Sequence, residues 1–191
     1  CFKQFLLNTS QIQEAAKNND IELVYSLLSL IGNNIPSKLF KGIIELTKIS
    51  ISPSITTIGD YAFFGCSSVT HISIPSSVTR IGKHVFAGCS SLIHVTIPSS
   101  VTKIGDFVFS GCTSLVHITI PSSITSIGNG IFEKCSSLKE AIIPLSLTDI
   151  GKNTFSGCTS LIRTSIPTNM NDIKENTFSK CSSLVQITIP S

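Results

Sequence analysis

The sequence predicts an α/β solenoid: a right-handed stack of similar coils with parallel strand ladders and a helical cap at the N-terminal end. Three observations carry this expectation. Cysteine returns every 23 residues, at Cys66, Cys89, Cys112, Cys135, Cys158 and Cys181. Phenylalanine keeps the same step at Phe63, Phe86, Phe109, Phe132, Phe155 and Phe178, with no insertion between the first copy and the last. Each copy also carries a segment like Leu92–Ile97, in which Val95 and Ile97 alternate with His94 and Thr96. That alternation, rich in β-branched residues, marks a short strand with one buried face.

In chain order, residues 1–34 stand apart from the rest. Ser10 is placed to cap a helix over Gln11–Lys17, and Asp20 a second over Ile21–Ile31, with Gly32-Asn33-Asn34 ending it. Leu23, Leu27, Leu28 and Ile31 fall on one face of that second helix. The run Glu14–Val24 weakly resembles the helix pair of an ankyrin repeat. Only one copy is present and the TPLH signature is missing, so the reading is a cap over the first coil, since terminal repeats are atypical.

Residues 35–191 form the repeat region, expected as one degenerate copy followed by about six copies of 23 residues. Counting back 23 residues from Ile58, Phe63 and Gly65 lands on Ile35, Phe40 and Gly42, so the degenerate copy begins there. In a full copy, Leu92, Val95 and Ile97 point inward. Pro98 ends the strand because proline cannot donate to a ladder, and Ser99-Ser100 turn the chain. Val101 and Ile104 point inward again as a second, shorter strand. Gly105 permits a tight bend, and Asp106–Ser110 has room for about one helical turn. A period between about 20 and 29 residues with one short strand per copy belongs to leucine-rich-repeat solenoids. The last copy stops on its strand, which predicts that the natural protein continues.

Composition bounds the function. Hydrophobic residues make up 41% of the 191 residues, enough for a long core, while only 13% are charged. A net charge of +3 and a pI near 8.5, without a basic run or basic-aromatic interleaving, argue against a nucleic-acid partner. No apolar run reaches the roughly 18 residues of a membrane span. No secretory signal is visible, and the chain opens on Cys1 rather than Met.

The unit LxxIxIPSSVTxIGxxxFxGCSS resembles the BspA-like class of leucine-rich repeats over residues 35–191. The prolines Pro75, Pro98, Pro121, Pro144, Pro167 and Pro190 carry the likeness, as do the Ile-Gly pairs from Ile58-Gly59 to Ile150-Gly151 and the GCSS or GCTS runs. Departures are Val85, Val108, Ile131, Thr154 and Thr177 at the position of Ala62, Lys174 at the last Ile-Gly glycine, and Pro53 one place late. The resemblance implies a non-enzymatic binding module without catalytic residues, associated with a microbial surface and adhesion to host matrix or cells. An intracellular protein-interaction scaffold, favoured by the missing signal and the many thiols, is the alternative.

Two constellations carry chemistry on paper. The cysteine column reads as a buried thiol ladder, because Ile43 takes its place in the degenerate copy and a bridge would not tolerate that. Bridging between neighbouring rungs stays open on geometry. Cys-x4-His recurs at Cys66/His71, Cys89/His94 and Cys112/His117, a pairing used by zinc sites and thiol enzymes. The repeat explains the spacing without either, since the cysteine points in and the histidine out. No metal or cofactor is therefore expected.

The outward positions of the strands make the candidate ligand face: Lys48, His71, His94, His117, Glu140, Arg163 and Gln186 in one column, with Ser73, Thr96 and Thr119 beside it. A strip for a protein or glycan is one reading, and a solvated face is the other. A flanking column runs from Arg80 and Lys103 through Ser126 to Asp149 and Asp172, basic at one end and acidic at the other.

Overall fold

A computed structural model describes residues 2–168, 170 and 172–188. Two helices, α1 (Phe2–Lys17) and α2 (Ile21–Leu28), precede the coils. Among the described residues the coils then contribute seven short strands to a first ladder and six two-residue strands to a second. In chain order the strands are β1 (Asn34–Ile35), β2 (Lys48–Ser50), β3 (Thr57–Ile58), β4 (His71–Ser73), β5 (Arg80–Ile81), β6 (His94–Thr96) and β7 (Lys103–Ile104). They continue with β8 (His117–Thr119), β9 (Ser126–Ile127), β10 (Glu140–Ile142), β11 (Asp149–Ile150), β12 (Arg163–Ser165) and β13 (Gln186–Thr188). All pairings are parallel and in register at the 23-residue step, as in His71 opposite His94 and Glu140 opposite Arg163. Ile189 and Pro190 of the expected pattern lie outside the described residues.

The core is one continuous column system. Phe40, Phe63, Phe86, Phe109, Phe132 and Phe155 are fully buried. Their rings stack coil on coil with Phe178, at centroid separations from 4.9 to 5.9 Å. Phe40 and Ile35 fill the positions expected of the degenerate copy. The thiols of Cys66, Cys89, Cys112, Cys135 and Cys158 are buried and free. Each donates to a phenylalanine carbonyl of the coil before, as Cys112 Sγ does to Phe86 O at 3.2 Å. Ile43 is buried at the same place, so the site accepts an apolar group in place of the thiol. Thr154 and Thr177 are buried too, and their hydroxyls donate to the carbonyls three residues back, Gly151 O and Lys174 O, both at 2.6 Å.

Three local expectations need correction. The segment Asp106–Ser110 is a turn, not a helical turn. Two of its amides reach forward to the next coil, Phe107 N to Asn129 O at 2.8 Å and Phe109 N to Ile131 O at 2.9 Å, and the bond within it, Ser110 N to Phe107 O at 3.2 Å, spans three residues rather than the four of an α-helix. Ser10 is not a cap, because α1 begins at Phe2: the residues before Ser10 contain neither glycine nor proline to stop it. The second helix is capped as expected, Asp20 Oδ1 accepting from Leu23 N at 3.0 Å, but it ends at Leu28. There the bonds shorten to three-residue steps, Leu30 N to Leu27 O and Ile31 N to Leu28 O, before Gly32 at φ +85°. Of its apolar face, Val24 and Leu28 are buried, whereas Leu23 is 44% exposed. Ile12, Ala15 and Ala16 of α1 join these in the same core as the coils. Asn19 Oδ1 also accepts from Thr47 N, at 3.1 Å.

The second ladder ends at β11 for a readable reason. At Gly105 a Cβ would sit 2.7 Å from the backbone of Gly82 and Lys83, so coils approach there only without a side chain. Lys174 occupies that position in the last copy, and residues 172–174 form no strand. Its ammonium instead pairs with Asp149 at 2.6 Å.

Candidate functional site

Burial sorts the first-ladder strands as alternation predicts. In β4, β6 and β8 the central residue is buried and both neighbours are exposed, which places His71, Ser73, His94, Thr96, His117 and Thr119 on the solvent side. Lys48, Arg163 and Gln186 are exposed and Glu140 half-buried on the same face. Register lines them up directly, Lys48 beside His71 and Arg163 beside Gln186.

Polar contacts join members of the column. Arg163 Nε donates to Glu140 Oε1 at 2.8 Å, and His117 Nδ1 lies 3.9 Å from Glu140 Oε2. His94 Nε2 and Thr96 Oγ1 are 3.3 Å apart, and His71 Nδ1 and Thr70 Oγ1 are 3.0 Å apart. These side chains lie along open clefts. One of about 460 Å³ follows β2 and β4 past Lys48, His71 and His94, and one of about 240 Å³ lies between Glu140 and Arg163.

The structure adds two features that the sequence reading missed. Apolar residues stand at the position before His94, His117, Arg163 and Gln186: Ile93 is 48% exposed, Val116 half-buried, Ile162 46% exposed and Val185 85%, with Lys139 separating Val116 from Ile162. Repeated β-branched residues just ahead of each histidine were the available signal. The second feature is a seam. The first ladder divides into β2-β4-β6 and β8-β10-β12-β13, and the second into β1-β3-β5-β7 and β9-β11. Both breaks fall between the coils of His94 and His117. The turn side stays bonded there through Phe107 and Phe109, although the Phe109–Phe132 separation of 5.9 Å is the widest in its column. A cleft of about 200 Å³ marks the seam on the strand side, lined by His94, Thr96, His117 and Thr119.

Chemically, the face offers hydrogen bonding, modest charge and short apolar stretches. The cysteines that the spacing paired with these histidines lie in the core. Burial pushes the Cys66 thiol up to about 12 and raises that of Cys112 well above its ordinary value, the opposite of an activated nucleophile. Among the described residues no group of three or more His, Cys, Asp or Glu is placed to hold a metal ion. Among the described residues, too, no helix is long and apolar enough to cross a membrane.

Comparison with known proteins agrees with this architecture. The model of the BspA type leucine rich repeat region matches residues 33–127 and 79–191, in six copies. Among curated proteins, no sequence matches this chain. Among solved structures, a leucine-rich-repeat protein of T. pallidum is 29% identical with a TM-score of 0.72, over 80% of this chain and 72% of that one. A leucine-rich cell surface protein of Faecalibacterium prausnitzii is 25% identical with a TM-score of 0.62, over 84% of this chain and 58% of that one. The pneumococcal vaccine antigen PcpA shares the fold at 18% identity and a TM-score of 0.59, covering 75% of this chain and 36% of its own.

Proposed function

We propose that this chain, which belongs to the BspA-type leucine-rich-repeat family, binds an extended protein partner along its strand face and serves adhesion or recognition at a microbial cell surface. The family and fold are those of protein-interaction modules, generally non-catalytic. The observation that carries the reading is the pairing of polar and apolar residues on the outward face. The polar line from Lys48 to Gln186 runs beside two apolar stretches, Ile93 with Val116 and Ile162 with Val185, separated by Lys139. Apolar area of this kind on a polar face supplies binding energy, while the histidines, Glu140 and Arg163 supply orientation. A small metabolite would need an enclosed apolar pocket, which open clefts along short strands do not make. The name of the F. prausnitzii relative, a cell surface protein, supports the location. Residues 1–34 serve in this reading as a cap on the solenoid of residues 35–191, supported by the shared core.

The test has two arms. Purified protein is assayed against immobilised host matrix proteins, with charge reversal at His94, His117 and Arg163 compared with reversal at Lys152 on the turn side. Loss of binding only in the first set supports the strand face, and loss only in the second moves recognition to the turns. Antibody staining of intact against permeabilised cells decides the location. Signal only after permeabilisation would replace adhesion by an intracellular scaffold.

A further inference from the structure

The corner between the second ladder and the turns carries groups that the strand-face reading does not use. Arg80 on β5 and Lys103 on β7 stand directly opposite each other. Like charges in that relation repel, yet among the described residues neither has an ion pair. The nearby carboxylates are engaged elsewhere: Asp60 Oδ1 accepts from Lys83 N at 2.8 Å, and Asp106 takes Asn129 N at 2.9 Å and the Lys83 ammonium at 3.3 Å. Arg80, Lys83 and Lys103 thus line, together with Asp60, a cleft of about 240 Å³ floored by Gly82 and Gly105, and among the described residues only Lys83 of its three cations is ion-paired.

A second, independent feature adjoins it. The residues following Asp60, Lys83 and Asp106 are Tyr61, His84 and Phe107, half-buried and stacked at centroid separations of 4.7 and 4.9 Å. All three hold left-handed backbone conformations, with φ of +59°, +53° and +57°. Tyrosine and phenylalanine are poorly suited to that region, which the coils adopt at this place from Lys38 at +64° onward. Asn153 and Asn176, which suit it better, take the same place in later coils. Because the faces of the inner ring are used in stacking, the column offers its ring edges outward, and ring edges carry the positive end of the aromatic quadrupole. Lys41 stands 5.3 Å from the Phe64 centroid and 5.8 Å from that of Tyr61, extending the positive surface by one coil.

We infer that this corner, from Arg80 and Lys103 to the Tyr61-His84-Phe107 column, binds a sulfated polysaccharide. Anionic groups would sit between the guanidinium and the ammonium, and the sugar chain would lie against the ring edges. An acidic peptide fits less well. The column's amides already donate to the next coil (Tyr61 N to Lys83 O, His84 N to Asp106 O, Phe107 N to Asn129 O), so no main-chain pairing is on offer. A stiff polymer with charges at fixed spacing loses less entropy on ordering than a flexible peptide.

The test measures binding of a heparin decasaccharide to the whole chain by surface plasmon resonance across a salt series. Arg80→Ser with Lys103→Ser is the main variant, since Ser126 holds that column position in the next coil. Lys134→Gly with Lys180→Gly removes the same charge elsewhere, at positions where other coils carry Gly111 and Gly157. Phe107→Asn removes a ring while keeping a residue suited to the backbone. The proposal expects at least a tenfold loss for the first variant with a weaker salt dependence, a smaller loss for Phe107→Asn, and little change for the second. Equal losses from both double variants would reduce the effect to net charge and overturn the site. So would polyglutamate competing as well as heparin, or full binding by the first variant. Retention of matrix-protein binding by the first variant separates this surface from the strand face.

Discussion

Truncation of Phe109 to alanine probes the stacked core at its centre. The ring is fully buried, with Phe86 at 5.6 Å on one side and Phe132 at 5.9 Å on the other. Phe-to-Ala changes in cores cost about 3–5 kcal/mol, as lost transfer energy plus the residual cavity. Each ring pair adds about 0.5–1.5 kcal/mol beyond burial, and here two pairs are lost. Collapse cannot refill the gap easily, because the coils above and below are fixed by Phe86 N to Val108 O and Phe109 N to Ile131 O, both at 2.9 Å. The expected loss is therefore about 4–5 kcal/mol, towards the upper end of that range. Phe178 supplies the internal comparison. It is only partly buried and has one described stacking neighbour, Phe155, at 5.5 Å. Its truncation should cost about 2 kcal/mol. Guanidinium unfolding followed by far-UV circular dichroism reads both. Equal losses would refute the argument that two-sided stacking sets the cost.

Three further outcomes follow from the same coordinates. Burial holds the Cys66 and Cys135 thiols near 12 in the folded chain, above the ordinary 9.0 that unfolding restores. Their stabilisation is thus complete below pH 9 and lost as pH rises towards 12. The slope is about 1.4 kcal/mol per pH unit for each thiol, so a Cys66→Ala, Cys135→Ala variant should show a shallower alkaline loss in pH-dependent denaturation. An unchanged slope would mean that the thiols are not the cause. Gly105→Ala should cost about 1–3 kcal/mol, because its Cβ meets backbone at 2.7 Å and only separation of the coils relieves the contact; a neutral result in thermal melting would contradict that close approach. At the seam, hydrogen exchange should be faster at Val116 and Thr125 than at Lys139 and Thr148. The latter donate to Val116 O at 2.9 Å and Thr125 O at 2.8 Å. Uniform protection along both ladders would show the seam closed in solution.

Much of this fold is legible in the residues, and the reasons are physical. The Phe109 and Cys112 columns repeat because each coil buries the same side chain against its own copy, and burial tolerates little substitution. The outward placement of His71, His94 and His117 follows from the period of two in a strand. The aromatic column at Tyr61, His84 and Phe107 was harder to see, because the side chain at that position does not report the backbone. Gly130, Asn153 and Asn176 in later coils were the clue, since these residues mark left-handed positions. The seam leaves no mark in the sequence, as the strands HVT and HIT on its two sides are nearly the same. The start of α1 was misread because Ser10 is a good cap residue, but a local cap signal yields to a helix that continues on both sides.

The four histidines provide the most direct test of the binding account. His71, His94 and His117 report on the strand face, and His84 alone reports on the aromatic column. Their imidazole carbon-bound protons can be followed by NMR while a matrix-protein partner is added. The account predicts that the signals of His71, His94 and His117 shift or broaden while His84 stays in place. Perturbation of His84 alone would contradict recognition through the strands.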